Sequence, residues 1–239
     1  MIRMLLVPVL SLALVINSYA QTLYISTGFT PPVSDFFRLV LEELDHRLPD
    51  IDIQFQVLPA ERSLLLVDKG TNDGECCRIP QFVLKTHPNL VPVRESFYSV
   101  RFNVFARADS AHIERFEDLR PFSVGTVKGW KAAVNNLQRI EPSELHIVTH
   151  PSQLFRMLND RRIDYAVMGY MSGMHSIRQL GFDQLQVQQP PLVEKPLYLL
   201  LADKHRALIP LISDTIKAML DDGSIQRIHE RIMRTPRTS

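Results

Sequence analysis

Two α/β runs of the same order follow one another along the chain, and each is closed by an extended apolar segment. The first run opens with the short strand Leu23-Tyr24-Ile25-Ser26 and turns through Gly28-Phe29-Thr30-Pro31-Pro32. Ser34 then stands as a cap for a helix that carries Phe36, Phe37, Val40, Leu41 and Leu44 on one face. Ile51 to Val57 alternates strictly between apolar and polar side chains, which marks a half-buried strand. A helix over about 59–69 stops at Gly70, and Asp73-Gly74-Glu75-Cys76-Cys77 leads into a third strand, giving βαβαβ. The second run repeats the order with strand Phe122 to Val127, loop Lys128-Gly129-Trp130, a helix, strand Leu145 to Thr149, helix Ser152 to Asn159 and strand Tyr165 to Met168. Segment 102–107 links the runs, segment 197–202 returns, and two helices over about 210–220 and 225–233 end the chain.

This layout predicts an α/β chain of two lobes, each a mixed sheet flanked by helices, joined by two hinge strands. Residues 21–105 begin lobe one, 106–195 form lobe two, and 196–239 cross back to add the C-terminal helices to lobe one. In open α/β sheets ligands sit beyond the carboxyl ends of the strands, so the cleft between the lobes is the expected binding place.

The N-terminus carries Arg3 ahead of a charge-free apolar run from Leu5 to Ile16, then Asn17-Ser18-Tyr19-Ala20. That pattern is a secretory signal, with a cut expected after Ala20 and a periplasmic destination. The run is about half of the roughly 20 residues a membrane-spanning helix needs. Removing residues 1–20 takes away Arg3 and no acid, leaving 26 basic against 26 acidic side chains. Such a balance gives nucleic acid nothing to hold, and a monomer is expected. The two cysteines, Cys76 and Cys77, are adjacent. Neighbours of this kind bridge only through a tight ring, so they read as two small buried side chains rather than a staple. The eight histidines show no metal-ligand spacing, and neither a metal nor a cofactor is expected.

Several segments, taken in order, resemble one family. They are Gly28-Phe29-Thr30-Pro31-Pro32; Gly70 with Asp73-Gly74; Glu95-Ser96-Phe97-Tyr98; Phe116-Glu117-Asp118-Leu119 with Val124-Gly125-Thr126-Val127-Lys128-Gly129; Arg162-Ile163-Asp164-Tyr165-Ala166-Val167; and Asp222-Gly223-Ser224-Ile225. Together they are similar to the periplasmic solute-binding proteins of the polar amino acid type, extracellular solute-binding protein family 3. The resemblance implies the type II periplasmic-binding-protein-like fold, lobes that close about a hinge on a small solute, and an inner-membrane ABC transporter or sensor as partner. Amino-acid-binding members carry an arginine three residues after a threonine, where Thr86 is here followed by His87, Pro88 and Asn89. They place an aspartate where Gly169 stands, and open the second-lobe helix with Gly-Thr or Gly-Ser where this chain has Gly129-Trp130. These departures argue against an ordinary α-amino acid as the solute.

Eight residues are candidates for the site. Arg78, at the carboxyl end of a strand, offers a planar fork for an anionic group, or pairs with Glu75 instead. Arg62, beside Glu61, opens the helix after the second strand and faces either the cleft or solvent. Phe29 and Trp130 lie on the first loops of the two lobes, placed to enclose the body of a solute or to pack. Lys128 and Gly129 precede a helix start that favours negative charge. Tyr98 and Tyr170 bring hydroxyls toward hinge or cleft, with simple packing as the alternative. The leading expectation is a non-catalytic protein that captures a small polar, anionic solute. One alternative is a periplasmic enzyme on the same architecture, a dehydratase of prephenate-like acids, with Glu61, Glu75 or Glu95 as acid or base. The other is a solute-free lobe pair that signals to a partner.

Overall fold

The computed structural model describes residues 20–234. The signal segment expected over 1–20 therefore lies, apart from Ala20, outside the described residues, as do residues 235–239. The chain forms β1 (Gln21–Thr27), α1 (Val33–Arg47), β2 (Ile51–Val57), α2 (Ala60–Asp68), β3 (Gly74–Arg78), α3 (Pro80–Val83), β4 (Leu90–Pro92) and β5 (Tyr98–Arg107). It continues through β6 (Ser123–Val127), α4 (Lys131–Ile140), β7 (Glu144–Val148), α5 (Pro151–Asn159), β8 (Tyr165–Gly169) and α6 (Tyr170–Leu180). β9 (Leu185–Val187), β10 (Val193–Ala202), α7 (Ile209–Asp221) and α8 (Ser224–Arg234) complete it.

The strands run in the order β2-β1-β3-β10-β5-β8-β6-β7, with β4 beside β10 and β9 beside β5. β1 is parallel to β2 and β3, and β6 is parallel to β7 and β8. Each half is a parallel set joined through an antiparallel strand. β10 does the joining: its residues 193–197 pair with β5, and residues 198–202 pair with β3 and β4. Two long strands, β5 and β10, thus run side by side from one half to the other, as the two-lobe reading expects.

Both faces of each half are covered by helices because the helices carry apolar stripes. α1 buries Phe36, Phe37, Val40, Leu41 and Leu44 at the 3.6-residue period, and α7 adds Ile212, Ile216 and Met219 to the same core. Leu64 and Val67 of α2 cover the other face with Val83 of α3. In the second half α4 packs Ala133, Leu137 and Ile140 on one face, while Phe155 and Leu158 of α5 meet Phe105 on the other. Each fully covered Phe or Leu contributes about 1.5–3 kcal/mol.

The termini are pinned by charge. Nε2 of His205, beyond β10, lies 2.6 Å from the Asp73 carboxylate, which accepts Tyr24 N–H at 2.9 Å and pairs with Lys204 at 2.8 Å. Burial acts to raise the Asp73 carboxyl, but these partners outweigh it and hold it below the usual range. Asp222 accepts from Ser224 and Arg47, and these bonds push it down to about 2 while docking the start of α8 on α1.

Two local expectations are corrected. Ser34 does not cap α1: it lies inside the helix with its Oγ buried and without a hydrogen bond, and Pro32 occupies the cap position. Cys76 and Cys77 are fully buried, as expected, but their sulfurs are joined. A cis peptide brings their Cα atoms to 3.0 Å, which lets the ring close. The sequence reading assigns no element to 170–180, where α6 follows β8 without a loop although Gly173 and two serines weaken its helical signal. Tertiary packing overrides the weak propensity, because Gly173 admits the Phe105 ring so closely that a Cβ there would sit 2.2 Å from Cζ.

Candidate functional site

The carboxyl ends of β1, β3, β6 and β8 point their loops at one another, and those loops carry most of the expected residues. Phe29 follows β1, Arg78 ends β3, Lys128, Gly129 and Trp130 follow β6, and Gly169 ends β8. Gly129 adopts a φ of +96°, which lets the chain turn sharply from strand to helix and delivers Trp130 to the first position before α4.

Trp130 is the centre of the arrangement. Its ring stands edge to face with Phe29 of the first half at 6.0 Å and with Phe102 of β5 at 5.5 Å. It also lies on Gly169, where a Cβ would meet Cη2 at 2.8 Å. The position at which amino-acid-binding members place a carboxylate is therefore covered by an indole. A second bridge spans the mouth: Lys131 Nζ, at the start of α4, donates to Glu61 Oε1 of α2 at 3.0 Å. Both groups are exposed, so this bond adds specificity of contact more than stability.

Arg78 does not stand free at the floor. Its guanidinium pairs with the fully buried Glu75 carboxylate at 2.6 Å, donates to the Ala60 carbonyl at 3.3 Å, and lies 5.8 Å from the Phe29 ring centroid. Glu75 also accepts hydrogen bonds from the Ser63 hydroxyl and the Gly28 backbone N–H. Ser63 in turn lies 2.8 Å from the Ser26 hydroxyl, which accepts from Asn72 at 3.0 Å. Burial raises the Glu75 carboxyl, and Arg78 and Ser63 oppose that shift. Of the Arg78 nitrogens, Nη1 has no hydrogen bond among the described residues. Arg62 and Lys128 are exposed, and neither side chain is bonded to a described residue.

Tyr98 and Tyr170 are not brought to Trp130. They line a separate concavity of about 360 Å³ on the flank of the hinge, with Arg101, Glu194 and His229. Sequence reasoning passed over Arg101, the Glu61–Lys131 bridge, and the room that Gly169 makes for Trp130; the pairing of Arg78 with Glu75, one of the two readings of that arginine, is the one found. Arg101 did leave a signal: it is the one charged side chain inside the stretch Val100 to Ala106 of β5. Among the described residues no group of three or more His, Cys, Asp or Glu is placed to hold a metal, and no helix is long and apolar enough to cross a membrane.

No family model matches the chain. No curated protein matches it either. Solved structures do match. A probable amino-acid ABC transporter extracellular-binding protein from Bacillus subtilis superposes with a TM-score of 0.72 at 16% identity, covering 90% of this chain and 100% of that one. The L-cystine solute receptor of Neisseria gonorrhoeae, unliganded and open, gives 0.70 at 12% identity over 92% and 96%. A histidine kinase sensor domain with similarity to periplasmic binding proteins gives 0.66 at 16% identity over 92% and 99%. With their agreement over nearly the entire length, the strand order and the paired crossing strands lead to one conclusion: this chain has the two-lobe fold of the periplasmic binding proteins.

Proposed function

We propose that the chain is an exported binding protein that captures a small polar solute between its lobes and presents it to an inner-membrane importer or sensor. The observation that carries this reading is the set of contacts across the cleft. Phe29 with Trp130, and Glu61 with Lys131, are pairs drawn from opposite halves, and they exist only when the halves meet. Contacts of that kind are what a closing ligand adds to, since a ligand shifts a two-state equilibrium by its preference for one state.

The charge around the cleft favours a solute with an anionic group. Arg62, Arg78, Lys128 and Lys131 outnumber Glu61 and Glu75, and the Arg78 Nη1 donors are unspent. An ordinary α-amino acid fits poorly, because Trp130 covers Gly169, where the ammonium partner of such a ligand belongs in the resembled family. The amino-acid and cystine binding proteins among the similar structures therefore indicate a neighbourhood of ligand size rather than the ligand itself. The solute-free signalling reading draws on the same indole, which joins Phe29 and Phe102 with no solute between them.

A melting-temperature screen of residues 21–239 separates the two. The panel contains L-amino acids, L-cystine, glutathione, C4 and C5 dicarboxylates, aromatic acids, polyamines and short peptides. A cleft ligand at a hundredfold excess over its Kd stabilises the folded chain by about 2.7 kcal/mol, which is a rise of several degrees. At least one such rise is expected; flat melts across every class support the solute-free reading.

A further inference from the structure

The concavity on the hinge flank lies between α1 and α8 on one side and the start of α6 on the other, with β5 as its floor. Its wall is about equally polar and apolar, with Phe36, Phe97, Tyr98 and Tyr170 supplying the aromatic part, and it contains a cation with unspent donors, Arg101. The Arg101 guanidinium stacks 4.5 Å from the Tyr170 ring centroid and makes no hydrogen bond or ion pair with any described residue. Stacking fixes the plane of the guanidinium and leaves its N–H edge for a bidentate acceptor. Glu194 stands opposite Arg101 in the β5–β10 ladder and lines the same concavity, but no ion pair joins them.

The remaining polar groups are donors or neutral. Burial raises the Tyr98 hydroxyl, which keeps its proton and has no hydrogen-bond partner among the described residues. Burial, and then the Arg101 charge, lower the His229 imidazole, so it is uncharged at neutral pH. The ring of Phe36 packs against both, at 5.4 Å from Tyr98 and 5.9 Å from His229. A volume of about 360 Å³ is at the small end for ligand pockets.

We propose that this concavity is a second binding site, for an amphipathic monocarboxylate whose carboxylate takes Arg101 and whose apolar body packs against Phe36 and Tyr98. Glu194 selects for a single negative charge: a dicarboxylate or a phosphate ion would bring its second charge against the Glu194 carboxylate. The site also lies where the halves touch. Arg178 of α6 donates to the Met233 carbonyl in α8, which ties two walls of the concavity together.

Calorimetric titration of residues 21–239 with benzoate, L-phenylalanine and inorganic phosphate tests this. Benzoate or L-phenylalanine is expected to bind and phosphate is not. Arg101→Gln is expected to weaken that binding by at least about tenfold, since it removes a charge-assisted bidentate contact. Glu194→Gln, at an exposed position, is expected to tighten benzoate by about threefold, and Trp130→Ala in the cleft to leave its affinity within about twofold. Binding that survives Arg101→Gln, binding that vanishes in Trp130→Ala, or no binding of either carboxylate overturns the proposal. These results are independent of whether the cleft itself holds a solute.

Discussion

Arg78→Met is expected to destabilise the fold by about 3–5 kcal/mol, or roughly 6–20 °C in Tm for a chain of this size. The arginine is the counter-charge of Glu75, whose side chain has no exposure at all. Removing it leaves a carboxylate in an apolar interior, with the Ser63 hydroxyl and the Gly28 N–H as its remaining partners. The double variant Glu75→Gln/Arg78→Met is expected to recover most of the loss. An amide still accepts from Ser63 and Gly28 and carries no charge that needs a partner.

The pH dependence has a definite sign. Burial raises the folded-state pKa of Glu75 above its ordinary value of 4.5, so ionising it costs stability as pH rises, and in the wild type Arg78 offsets part of that cost. In Arg78→Met only the Ser63 hydroxyl and the Gly28 N–H do. The deficit is therefore smallest below about pH 4.5, where the carboxyl is protonated in both states, and grows as pH rises above that value. Denaturant unfolding of the four chains of this cycle at pH 4 and pH 7 measures it. A deficit independent of pH, or one the double variant does not relieve, would show that Arg78 is held for reasons other than Glu75.

Trp130→Ala is expected to weaken solute capture by about 2–4 kcal/mol, roughly 30- to 1,000-fold in Kd, while costing the unliganded chain less. The indole is half-buried on a loop, so its removal takes away no strand or helix, but it touches Phe29, Phe102 and Gly169 together. Gly169→Ala should act in the same direction with the tryptophan present, because its methyl occupies the space of Cη2 and pushes the ring out of the cleft. The readout is the melting-temperature rise produced by whichever panel member stabilises the wild type.

What the sequence showed of the fold followed from patterns with a single physical meaning. The alternation from Ile51 to Val57 placed β2 with both ends correct, since one face of that strand packs and the other meets water. The stripe through Phe36, Phe37, Val40, Leu41 and Leu44 placed α1. α6 escaped because its stability resides in a contact between Gly173 and Phe105, sixty-eight positions away in sequence, and not in propensity. The Glu75–Arg78 pair was weighed as an alternative but could not be decided. In a regular strand, side chains three apart point to opposite faces, and the β3–β10 ladder shifts register between Tyr198 and Leu200 beside these residues.

The site was legible as loops and illegible as contacts. Gly169 and Trp130 each departed from the family pattern, and each departure taken alone suggested a lost ligand contact. The fold shows them to be one feature, a large ring seated on a residue without a side chain. Tyr98 and Tyr170 read as residues of hinge or cleft because both follow from strands that run there, and they line a concavity beside the crossing of β5 and β10.

The chain contains a single tryptophan, and it stands in the cleft. The most direct measurement is therefore the emission of Trp130 as each panel solute is titrated into residues 21–239. Capture between the lobes predicts a saturable change in its intensity or wavelength, with a midpoint that matches the concentration dependence of the melting-temperature rise. An emission that stays constant while a solute raises the melting temperature would place that solute elsewhere on the molecule and contradict capture in the cleft.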